Sequence, residues 1–161
     1  NGYEHNVLLM NTPKHEFPSL GFLMGIGFEF DSRSVVSADL DADGRVDLLV
    51  VERERSETLR AYVNKVHLIQ NRLESINHWI GVNLSAASSP LGVVVSVQSG
   101  AKMQALPIIA GDSYNSQHPF TCHFGLGNQS AVKKIVVRWP SGKEVRMENP
   151  KIDQYHLIQL E

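Results

Sequence analysis

Short β-branched or alternating runs, each closed by Gly, Pro, Asn or Ser, recur along most of this chain, and they restrict its fold more than any other feature. They are NVLLMN (6–11), RVDLLVV (45–51), WIGVNLSA (79–86), GVVVSVQ (92–98), KMQALPII (102–109), TCHFGL (121–126), KKIVVRW (133–139), KEVRME (143–148) and YHLIQL (155–160). Runs of this length with turn residues between them predict strands, and strands at this spacing predict an all-β sandwich, barrel or propeller. The one helix-compatible stretch, 56–75, has no apolar stripe at 3.6-residue spacing and is read as strand plus loop. With 161 residues, 42% of them hydrophobic, the chain can bury a core without cross-links. Its single cysteine, Cys122, cannot form an internal disulfide and is read as a small buried thiol.

Charge removes some functions. A net charge of −2 with no Lys/Arg block argues against a nucleic-acid or anionic-membrane partner. The alternating run ERERSETLR (52–60) reads as a solvated blade edge or connecting loop. The longest apolar run, GFLMGIGF (21–28), is far short of the roughly 20 residues of a membrane span and is broken by glycines. The chain begins at Asn1 without a methionine or a basic leader, as expected of a mature product or an excised C-terminal piece.

The most specific chemistry lies in SADLDADGRVDLLVV (37–51), where Asp39, Asp41, Asp43, Gly44 and Asp47 form D-x-D-x-D-G-x-x-D. Carboxylates at alternate positions of a tightly turning loop converge, and the glycine permits the turn. Without a cation they would repel one another. A hard ion with six to eight oxygen ligands, calcium, suits them better than magnesium, which dehydrates reluctantly. The expected set is Asp39, Asp41, Asp43 and Asp47, the backbone carbonyl of Arg45, and water. An EF-hand is excluded, because its twelfth position needs a bidentate acid and here it is Val50.

This loop, with Ala38 before it and LLVV after it, resembles the calcium loop of FG-GAP or VCBS repeats, which build β-propeller blades. The resemblance implies a hairpin loop at a blade's edge and a buried strand following it. From about residue 77 the chain resembles the ASPIC and UnbV domain, which commonly follows such propellers. The matching segments are NHWIGVNL (77–84), GVVVSVQSG (92–100), AGDSYNSQ (110–117), HFGLGNQSAVKKIVVRWPSGK (123–143) and NPKIDQ (149–154), in that order. It departs from the family at Asp112, where a second glycine is usual, and at GVVV. Only one aspartate loop is present, so residues 1–76 are expected to be partial propeller-blade material, and 77–161 a compact β-sandwich or barrel-like domain.

Function follows less directly. The resemblance implies a secreted, periplasmic or cell-surface setting and a non-catalytic interaction or adhesion module. Its partner would be a protein or glycan, with a second copy of the chain or missing propeller blades as further contacts. The alternative is an accessory or catalytic domain of a biosynthetic or hydrolytic enzyme, with the polar loop at 111–118, within GDSYNSQHPF (111–120), serving a substrate. Ser113, Asp153 and His156 mimic the blocks of an esterase family, yet they lie about forty residues apart without intervening helices, and no GxSxG or HExxH pattern substitutes for them. The histidines stand at no metal-ligand spacing with acids or the cysteine, although His118 and His123 share one loop. Trp79 and Trp139 are expected to be core or inter-domain anchors, and WPSG (139–142) a tight turn.

Overall fold

Ten strands account for the regular structure in a computed structural model that describes residues 4–12, 14–29, 31–74, 76–85 and 89–159. They are β1 (Ser32–Ala38), β2 (Asp47–Ser56), β3 (Ala61–Ile69), β4 (His78–Leu84), β5 (Val94–Ser99), β6 (Lys102–Pro107), β7 (Thr121–Gly127), β8 (Lys134–Arg138), β9 (Glu144–Glu148) and β10 (Tyr155–Ile158). The fold is all-β, and no helix occurs among the described residues. Three sheets form, with strand orders β1-β2-β3, β10-β4-β7 and β6-β5-β8-β9. Neighbours are antiparallel except β10, which runs parallel to β4.

The second and third sheets bury a common core. Alternate residues of β4 (Ile80, Val82, Leu84) and β7 (Cys122, Phe124, Leu126) join alternate residues of β5 (Val95, Val97) and β8 (Ile135, Val137) in one apolar cluster. This is the period of two that the strand pleat imposes. Trp139 closes the cluster at the WPSG turn, where Gly142 takes φ 86° and its N–H bonds back to the Trp139 carbonyl at 2.9 Å. Cys122 is buried as expected, and burial pushes its thiol up to about 11.

The β1-β2-β3 sheet is different. Val50 is its buried aliphatic, whereas Tyr62, Val66 and Leu68 on β3 are each more than half exposed. Of the charged run 52–60, expected as a solvated blade edge or connecting loop, residues 52–56 are the second half of β2 and 57–60 the turn that follows it. Across the β2/β3 register its charges find partners: Glu52 binds His67 at 2.7 Å, Glu54 pairs with Lys65, and Arg53 lies 4.1 Å from the centre of the Tyr62 ring. Cross-strand pairing of this kind holds a polar strand in place.

Residues 6–11 also depart from expectation. They run extended and share backbone bonds with Pro18, Leu20 and Phe28, but among the described residues only Leu9 and Ser19 form an isolated bridge there. Pro18 supplies no N–H, and residues 21–25 turn away, so the ladder ends there. Strand β1, in contrast, was not legible as a run and is ordered by its pairing with β2.

Candidate metal centre and the cleft beside it

The aspartate loop connects β1 to β2 and is the turn of an antiparallel hairpin, as the resemblance implied. Its own carboxylates shape it. Asp39 accepts the N–H groups of Asp43 (3.0 Å) and Gly44 (2.8 Å) on separate oxygens, and Asp43 accepts that of Arg45 at 2.8 Å. Gly44 takes φ 86°, a left-handed conformation that suits glycine. Asp47, 2% exposed, accepts the N–H of Leu40 at 3.2 Å and that of Asn71 at 2.7 Å, tying the loop's two ends to the segment after β3.

The result is a convergence of Asp39, Asp41 and Asp43, which each offer a carboxylate oxygen within 4.8 Å of the others. Asp41 also receives Gln70 Nε2 at 2.7 Å, and Asp43 pairs with the Arg45 guanidinium, whose Nε donates to the Asn71 carbonyl at 2.8 Å. Of the expected ligands, three therefore meet. Asp47 sits at the base of the loop with both oxygens on backbone N–H groups.

A feature not legible in the sequence is the seat of this loop on the second sheet. Tyr155 donates its phenolic hydrogen to Asp39 Oδ2 at 2.9 Å, across 116 residues of chain. Its oxygen in turn lies 3.1 Å from His123 Nδ1. Trp79 stacks on His123 with ring centres 5.0 Å apart and planes at 12°, and tilts against Tyr155 at 4.8 Å. Two glycines make room: a Cβ on Gly44 would overlap the Trp79 indole, and one on Gly81 would overlap the Tyr155 ring. Burial, and then the Asp39 carboxylate, hold the Tyr155 phenol well above its ordinary range, so it remains a donor. Burial pushes His123 down, with Asp39 opposing, which favours a neutral imidazole. Because the Tyr155 hydrogen points to Asp39, the phenolic oxygen accepts from His123 Nδ1–H, and the relay runs His123 to Tyr155 to Asp39. A hydrogen bond to a charged acceptor contributes about 1.5–3 kcal/mol, so Tyr155→Phe is expected to lower unfolding free energy by roughly 1.5 kcal/mol in urea titrations. Unchanged stability would show that the relay does not hold the loop.

Residues 85–161 match the family model described as ASPIC and UnbV. No curated protein matches the chain. The ASPIC and UnbV region supplies Tyr155 and His123 to the seat, while the aspartate loop, Trp79 and Gly81 precede it.

The remaining candidates have separate partners. Ser113 Oγ accepts the Val35 N–H at 3.2 Å, a link between β1 and the ASPIC and UnbV region beside the one that Tyr155 makes to the aspartate loop. Asp153 binds His78 Nδ1 at 2.8 Å and the Trp79 N–H at 3.1 Å, and His156 Nε2 binds the Lys151 carbonyl at 2.8 Å. Among the described residues no hydrogen bond joins any two of Ser113, Asp153 and His156. Histidines that stand apart from acids in the sequence meet them in the fold: His67 with Glu52, His78 with Asp153, and His118 Nδ1 with Asp112 Oδ2 at 2.9 Å. The His118 contact holds the Asp112 carboxyl below its usual range. Between the aspartate loop and the ASPIC and UnbV region lies a cleft of about 560 Å³ whose lining includes Asp39, Asn83, His118, Thr121, His123 and Tyr155.

Proposed function

We propose that this chain is a calcium-stabilised interaction module of an extracellular, periplasmic or cell-surface protein, in which the β1-β2-β3 sheet is blade-like material of a larger propeller and the ASPIC and UnbV region is the adjoining β-domain. The observation that carries the reading is the convergence of Asp39, Asp41 and Asp43 in a loop stiffened by its own carboxylates. Three carboxylate oxygens in so small a space form a hard, anionic donor set of the type calcium takes. The Arg45 carbonyl, the remaining lone pairs of Asp47 and water can complete its coordination. The ion's part is to neutralise the loop, not to supply chemistry.

Through Asp39 the ion would also favour the seat on Tyr155, so that a stable pair of β units presents its surface to a protein or glycan. The exposed apolar side chains of β3, Val66 and Leu68, suit contact with further blades or a second copy. At millimolar calcium, a site with a dissociation constant near 10⁻⁴ M adds about 1–2 kcal/mol to the native state. The melting temperature should therefore rise by roughly 3–6 °C between chelator and calcium. Identical melting curves in the two conditions would overturn the proposal.

A further inference from the structure

We infer that the cleft beside the aspartate loop binds a small, neutral, polyhydroxylated ligand of sugar size. The inference rests on reading the chain as a binding module, and its charge argument applies to the chain without calcium, because Asp39 belongs to both the cleft and the aspartate loop. The cleft's volume of about 560 Å³ falls within the range of small-molecule sites.

Its hydrogen-bonding capacity can be read from what the lining side chains have already used. Thr121 Oγ1 donates to Asn83 Oδ1 at 2.7 Å, which leaves the Asn83 amide group as a donor and the Thr121 oxygen as an acceptor. His118 Nδ1 is buried and faces Asp112 Oδ2 at 2.9 Å without hydrogen-bond geometry, and His123 commits Nδ1–H to Tyr155, so Nε2 is the ring atom each can offer. The unused groups are thus several acceptors, the Asn83 amide donor and the Ser37 hydroxyl, which can do either. A ligand that satisfies them must donate repeatedly and also accept. Hydroxyl groups do both.

The charge of the lining narrows the class further. Among the described residues Asp39 is its one carboxylate, and no lysine or arginine lines the cleft. With the aspartate loop free of calcium, a phosphate, sulfate or carboxylate would meet the Asp39 charge without a cation to offset it. A simple amine would be drawn to Asp39 but has no acceptor for the Asn83 amide. Leu40, Val46, Leu106 and Pro119 supply apolar wall for the C–H face of a ring.

Saturation-transfer NMR on the whole chain in chelator tests this with glucose, galactose, mannose and N-acetylglucosamine as neutral probes, ethanolamine as a cation and inorganic phosphate as an anion. At least one sugar is expected to saturate, with neither charged probe doing so. Asn83→Asp keeps the acceptor for Thr121 and replaces the donor with a repelling oxygen, so it should weaken that sugar about tenfold. His118→Gln, on a loop, should weaken it too and serves if the β4 variant does not fold. Ser130→Ala, outside the cleft, should leave binding unchanged. The inference is overturned if no sugar saturates up to tens of millimolar, if phosphate or ethanolamine binds in their place, or if Asn83→Asp and His118→Gln bind the sugar like the parent chain. Melting with calcium and chelator reports separately on the aspartate loop, so a failed cleft and a failed ion site give different results.

Discussion

Phe124→Ala is expected to destabilise the chain by about 3–5 kcal/mol, the range for truncating a buried phenylalanine. Phe124 is 2% exposed and sits on β7 opposite Ile80 of β4, whose side chain is wholly buried. It belongs to the cluster that the β10-β4-β7 and β6-β5-β8-β9 sheets share. Removing the ring deletes apolar area and leaves a void between two rigid sheets that cannot close around it. Urea unfolding followed by tryptophan fluorescence measures the loss, and Trp139, in the same cluster, reports on it. A loss below about 1 kcal/mol would mean that the two sheets do not share a tightly packed core.

Asp47→Ala should cost roughly 1–3 kcal/mol, because a buried N–H left without an acceptor costs about 1–3 kcal/mol and water can partly replace the lost partner here. Asp47 accepts from two part-buried N–H groups, on Leu40 and Asn71, and is itself almost fully buried. The effect should appear without calcium, since these bonds belong to the loop's frame. Asp47→Asn keeps one acceptor oxygen and should lose less than the alanine variant. Equal stability of Asp47→Ala and the parent chain would show that the loop is not held by this residue.

Most of the ASPIC and UnbV region was legible because its strands alternate cleanly. In β7 and β8 alternate residues (Cys122, Phe124 and Leu126; Ile135 and Val137) are apolar and buried, so periodicity and burial agree. The spacing of Asp39, Asp41 and Asp43 likewise reflects a local turn, and local geometry can be read from neighbouring residues. Strand β1 was not legible, since SRSVVSA becomes a strand only by pairing with β2. The polar half of β2 resembled a loop until its charges met Lys65 and His67 on β3.

The seat of the loop lay beyond sequence reasoning for a similar reason. Tyr155 and Asp39 are joined by a fold, not by a pattern, and nothing about tyrosine in YHLIQL marks it as the partner of an aspartate so far away. Gly81 gave a faint signal, as a glycine within an otherwise apolar strand, where a close approach is one of the usual reasons. The structure identifies the approaching group as the Tyr155 ring.

Calorimetric titration of calcium into chelator-treated protein tests the central claim most directly. One saturable site per chain is expected, abolished in the double variant Asp41→Asn, Asp43→Asn and weakened in Tyr155→Phe, whose Asp39 loses its hydrogen-bond donor. Absence of saturable binding in the parent chain, or the same binding in the double variant, would contradict the assignment of calcium to the aspartate loop.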